Sequence, residues 1–69
     1  MADGDVHTYY EDGLWKNRLE GGVRASNTSL RRVDAVLAGR RIAKKRHVGH
    51  VVHSEQGEVE DERDYRRRA

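Results

Sequence analysis

Three histidines, His47, His50 and His53, stand three residues apart, and seven lysines and arginines crowd residues 29–50. These are the side chains with chemistry to offer. On a continuous helix, histidines at that spacing would gather on a metal ion, and zinc needs three or four convergent ligands. Gly49, Val51 and Val52 argue for a strand instead, which sends His50 and His53 to opposite faces. No cysteine and no dense acid cluster stands beside them, so no metal site is expected. A nucleophile would have to be Thr8, Ser26, Thr28, Ser29 or Ser54. Ser29 is explained by helix capping. Neither a Gly-x-Ser-x-Gly elbow nor a phosphate-binding glycine loop occurs. A chain this short also has little room for a pocket of ligand size. The expectation is a non-enzymatic protein with no catalytic residue, no cofactor and no small-molecule substrate.

The cations point elsewhere. Arg31, Arg32, Arg40, Arg41, Lys44, Lys45 and Arg46 would neutralise several phosphates, giving weak, salt-dependent affinity without sequence reading. Lys16, Asn17 and Arg18, with Arg24, would add base contacts if the sheet docked in a groove. Nucleic acid is therefore the first candidate partner. The net charge of +2 hides this, because it is unevenly spread. Residues 1–28 hold three Lys/Arg against five Asp/Glu, residues 29–50 seven against one, and residues 51–69 four against six. The basic character belongs to one segment.

That segment, Ser29 to His47, is the one convincing helix. Asn27, Thr28 and Ser29 all suit its N-cap. On a wheel, Ala35, Val36, Gly39, Ile42 and Ala43 share a side of small residues. Gly39 costs about 1 kcal/mol in a helix interior, so it implies close approach to a sheet. Leu30, Val33 and Leu37 fall nearly opposite and have no duty there. They make a candidate protein interface, with a homodimer or a foreign protein as the alternative partner.

The flanking chain reads as extended. Asp5–Glu11 and Leu14–Glu20 alternate about Asp12-Gly13, a strong hairpin signal. Trp15, Asn17 and Leu19 share one face of the second strand, and Lys16 and Arg18 the other. Val23–Ser26 is a candidate third strand. After the helix come His50–Ser54 and Glu58–Tyr65 around a turn at 55–57. Along the last strand Glu58, Glu60, Glu62 and Asp64 would form an acidic row, and on the face of Lys16 and Arg18 that row would repel phosphate. The order is β-β-(β)-α-β-β. It predicts an α+β domain: an antiparallel sheet of four strands, or five if the third forms, with one helix packed on one face. Residues 1–4 read as a disordered N-terminus, 5–65 as the single domain and 66–69 as a basic tail.

Only 35% of residues are apolar and 38% are charged, so the core must be thin, and without cysteine no disulfide can staple it. No apolar run reaches membrane-spanning length and no signal-peptide pattern precedes the first charges, which makes the cytoplasm the expected compartment.

The spacing of Trp15, Glu20-Gly21, Arg24-Ala25-Ser26, Asp34-Ala35, Ala43-Lys44-Lys45, Val51-Val52-His53, Gly57-x-Val59 and Tyr65 resembles a small bacterial family, domain-of-unknown-function family 2188. The likeness runs without gaps from Trp15 to Tyr65. It implies a bacterial or phage source and the same β-β-α-β-β fold, and it brings no activity with it. The chain departs from the family at Leu30, Arg31 and Arg32, where an Asp/Thr-Lys pair usually opens the helix. It departs again at Asn17, where valine is usual, and in lacking proline. A looser likeness, at the level of fold alone, is to the arm-type DNA-binding domain of tyrosine recombinases, which enters the major groove with its sheet.

Overall fold

The computed structural model describes residues 4–22 and 27–66. The first hairpin forms where the sequence places it. Val6–Glu11 (β1) pairs antiparallel with Leu14–Leu19 (β2), from Val6 opposite Leu19 to Glu11 opposite Leu14. Asp12 and Gly13 both take positive φ, 54° and 79°, as a two-residue turn between right-twisted strands requires.

The third strand is Asn27–Ser29 (β3), paired antiparallel with Trp15 to Asn17 of β2. The candidate strand Val23–Ser26 lies outside the described residues. Asn27, Thr28 and Ser29 are therefore sheet residues and not helix caps. Short polar side chains suit an edge strand as well as a cap, and Asn27 is claimed by a hydrogen bond from Asn17. The helix starts three residues later than the sequence suggests, at Arg32, and runs to Arg46 (α1). Its N-cap, Arg31, makes no side-chain capping bond, while Asp34 puts a negative charge in the first turn, where the dipole favours one. At the other end His47 turns left-handed (φ 57°), and the Val48 and His47 amides bond back to the Ala43 and Lys44 carbonyls. His47 thus ends the helix, as the sequence suggests. Gly49 already opens Gly49–His53 (β4), which pairs antiparallel with Val59–Asp64 (β5).

The five strands lie in the order β3-β2-β1-β4-β5. The sheet is mixed and not purely antiparallel, because β4 runs parallel to β1, Val6 opposite His50 and Thr8 opposite Val52. The hairpins are antiparallel, as their turns demand. The helix, however, carries the chain from β3 across to β4, and a helical crossover delivers a strand parallel to the one it left. β3 is itself parallel to β1, so β4 meets β1 the same way round.

The helix lies over β1 to β4 and leaves β5 bare. Ala35, Gly39 and Ala43 are its buried residues, as the small face predicts. Below them the core is half polar. Among the described residues the buried apolar side chains are Val6, Trp15, Ala35, Ala43 and Val52, and the buried polar ones are Asp5, Thr8, Asn17, His50 and Ser54. None of the buried polar side-chain atoms lacks a hydrogen-bond partner, which is what makes such a core affordable.

Candidate functional site

Three of those polar residues meet directly beneath Gly39. The Thr8 hydroxyl donates to Asn17 Oδ1 at 2.5 Å and lies 2.7 Å from His50 Nε2. Asn17 Nδ2 donates to Asn27 Oδ1 and to the Ala35 carbonyl, both at 2.8 Å. Asn17 Oδ1 must therefore accept and Thr8 must spend its proton on it. His50 is then the donor to Thr8, with its proton on Nε2. Burial first, and then the positive charge of Arg40, push the His50 pKa below its ordinary value. A β-carbon on Gly39 would stand 2.5 Å from Asn17 Oδ1, 2.6 Å from His50 Nε2 and 2.8 Å from Thr8 Oγ1. Among the described residues no buried side-chain polar atom is left without a partner. The network locks helix to sheet, and it explains how asparagine occupies a core position where the resembled family usually has valine.

The surfaces are where binding chemistry lies. Val33 and Leu37 are 50% and 45% exposed on the outer side of the helix, whereas Leu30, 82% exposed, stands in the bend before Arg32 and not on the helix, because the helix starts later than the sequence suggests. The outer side continues into Arg40, Arg41, Lys44 and Lys45, which fall within an arc of about 140°. Among the described residues none of these four, nor Arg46, forms an ion pair with a carboxylate, although Lys44 rests over the Tyr65 ring at 5.7 Å. Several other cations singled out from the sequence are committed inside the fold. Arg32 is held at 2.6 Å by Glu60 and lies over the Trp15 ring. Lys16 pairs with Glu11 at 3.0 Å, which raises its pKa. Arg18 covers the Tyr9 ring at 5.2 Å. Arg31 is exposed at the helix start, and Arg24 lies outside the described residues. Arg66, in the tail segment, bonds to Asp5 and Asp64.

The acidic row of the last strand does not form. A bulge between Val52 and His53 lets Val59 and Asp61 face consecutive residues of β4, so Glu60 falls out of the alternation. Glu60 reaches Arg32 on the helix side, while Glu62, opposite Val51, stays with the open face. β5 is also two strands removed from β2, so its acids do not stand beside Lys16 and Arg18.

The open face holds a cluster with no counterpart in the sequence reading. His50 and His53 do take opposite faces: His50 is buried under the helix, and His53 joins His7 on the other side. His7 Nδ1 lies 2.9 Å from His53 Nε2 with the rings stacked, and His7 Nε2 lies 2.6 Å from Glu20 Oε1. A carboxylate only accepts, so His7 donates through Nε2, and in neutral His7 the Nδ1 lone pair receives His53 Nε2–H. The relay is Glu20–His7–His53. It sits in a half-open basin of about 550 Å3, lined also by Tyr9, Arg18, Gly21 and Gly57. A chain of 69 residues therefore does make a hollow of ligand size. The turns at Glu20–Gly22 and Ser54–Gly57 rise beside the twisted strands and wall it. What the sequence offered was the alternation that turns His7, Tyr9, Arg18 and His53 away from the core face of their strands. Their meeting depends on the β1–β4 junction, which alternation does not reveal. Among the described residues no three metal-ligating side chains converge, and no helix is long and apolar enough to cross a membrane.

A family model described as an uncharacterized protein conserved in bacteria matches residues 6–65, which takes in β1 as well as the stretch from Trp15 to Tyr65. No curated protein and no solved structure matches the chain.

Proposed function

The chain belongs to domain-of-unknown-function family 2188, and on that premise we propose that it is a small non-enzymatic binding protein that holds nucleic acid by its phosphate backbone through the last two turns of the helix. One observation carries this reading: Arg40, Arg41, Lys44, Lys45 and Arg46 form no ion pair among the described residues, whereas Lys16, Arg32, Arg63 and Arg66 each have a carboxylate. Unspent cations on a convex helix suit phosphates and read no bases. Of the acids of β5, Glu60 and Asp61 stand on the helix side, and Arg32 engages the first and Arg63 the second.

Fluorescence anisotropy with a random duplex tests it. Four phosphate contacts give a slope of log K on log salt of about −3.6, so affinity should fall about a hundredfold between 50 and 200 mM salt. The double variant Lys44→Glu/Lys45→Glu should abolish binding. No binding at low salt, or binding indifferent to the double variant, would sink the proposal.

A second reading rests on the exposure of Leu30, Val33 and Leu37. It makes the N-terminal half of the helix and the bend before it a contact for protein, with a second copy of this chain as the occupant to test first. Light scattering across a concentration series decides it, and a strict monomer removes the homodimer.

A further inference from the structure

We infer that the basin on the open face is a binding site for a nucleotide unit: a planar base joined to a phosphate. The inference is independent of the helix surface, which lies on the other side of the sheet.

The side chains of the basin are not explained by packing. The helix covers the opposite face, and the buried core is assembled there. On the open face, His7, Tyr9 and His53 present three flat rings from two adjacent strands, half-buried and at the floor of a hollow. Rings in that position offer stacking to a base, and so does a guanidinium plane. Arg18 supplies one, already lying on Tyr9 at 5.2 Å. A base can rest on that guanidinium or displace it from the tyrosine.

The charges select an anion. Among the described residues Glu20 is the carboxylate that lines the basin, and His7 engages it, while Glu62 on the same face lies outside the lining. Among the described residues Arg18 has no carboxylate partner and remains to take a phosphate, bidentately if the ligand allows. The relay order also matters. With His53 giving its Nε2 proton to His7, its Nδ1 is left as an acceptor, suited to an amino or imide N–H on a base edge. A simple anion would use Arg18 and ignore the rings. A metal ion would need several convergent lone pairs, and the relay leaves it only that of His53 Nδ1. The volume, about 550 Å3, lies in the range of small-ligand pockets. Because the hollow is half open, the chemistry accommodates a free mononucleotide or one residue of a single strand.

The experiment follows backbone amide NMR shifts while adenosine 5′-monophosphate, adenosine, inorganic phosphate and an eight-residue oligodeoxyadenylate are titrated separately. Saturable shifts centred on Tyr9, Arg18 and His53 are expected with the monophosphate, with adenosine and phosphate each at least tenfold weaker. Tyr9→Ala and Arg18→Ala should each cost about tenfold, the scale of one lost stacking contact, with the remaining spectrum showing that the fold is kept. The oligonucleotide binding more tightly than the monophosphate identifies a strand as the source, and equal binding identifies the free nucleotide. Lys44→Glu/Lys45→Glu should leave these affinities unchanged, which separates this site from the helix surface. Phosphate binding as well as the monophosphate, shifts confined to the helix, or no saturation at millimolar ligand would overturn the inference.

Discussion

Replacing Gly39 with alanine sets two physical effects against each other. In an exposed helix the change would stabilise by about 1 kcal/mol, the difference in helix propensity. Here the new methyl would meet three polar atoms at 2.5 to 2.8 Å, closer than any methyl sits to its neighbours. They cannot step aside singly, since Thr8 bonds to both Asn17 and His50, and Asn17 is tied to Asn27 and to the helix backbone. Overpacking of this kind costs about 1–3 kcal/mol. Each buried polar group pushed off its partner adds about 1–3 kcal/mol. Against the propensity gain, a net loss of about 2–4 kcal/mol is expected. A domain of this size has roughly 3–10 kcal/mol in all, so the variant should be barely folded. Urea unfolding followed by Trp15 fluorescence reads this directly. With a slope of about 1 kcal/mol per molar, the midpoint should drop by about 2 M or more. Ala38→Gly, on the flank of the same helix, is the control and should cost only about 1 kcal/mol. Gly39→Ala matching or exceeding the wild type in stability would refute the packing of helix on network.

Two further perturbations test the same core. Because burial lowers the His50 pKa in the folded state, the unfolded chain binds that proton more readily. Its contribution to stability is complete above the unfolded pKa and is lost as pH falls below about 6.5; His50→Gln should flatten the urea midpoint against pH between 7.5 and 5.5, and an unchanged slope would show that His50 is not the titrating group. Asp5 is buried, accepts the Gly49 amide at 2.8 Å and binds Arg66, so Asp5→Ala leaves a buried N–H unpaired and should destabilise by about 2 kcal/mol in the same unfolding assay; a change within error would mean that water replaces the carboxylate.

Local signals in the sequence were read correctly where local chemistry decides the outcome. Asp12-Gly13 dictates its turn whatever lies around it, and the small face of Ala35, Gly39 and Ala43 can only mean close packing. Thr8 and Asn17 also fell on the core face, beside Val6 and Trp15, and together with a glycine in the facing helix they were the available sign of a polar core. What stayed hidden is non-local. The parallel β1–β4 junction follows from where the crossover lands, which no periodicity records. Asn27 to Ser29 have side chains equally suited to a cap and to an edge strand, and only pairing with β2 decides. The bulge at Val52/His53 shifts the alternation of β5 partway along, so a face read from one end is wrong at the other. His7, Glu20 and His53 carry no shared motif because they come from three separate segments.

The parallel junction has a consequence for the way the chain finds its fold. Thr8 reaches Asn17 across 9 residues of sequence but His50 across 42. Closing a flexible loop of 42 residues costs about 3 kcal/mol in chain entropy, offset by three pairings along the strands and by the bonds of Thr8 to His50, His7 to His53 and Asp5 to the Gly49 amide. The first hairpin and the helix need no such closure. The seam between β1 and β4 is accordingly the last part of the sheet to zip and the first to part. The domain is two half-sheets sutured at Val6–Thr8 and His50–Val52.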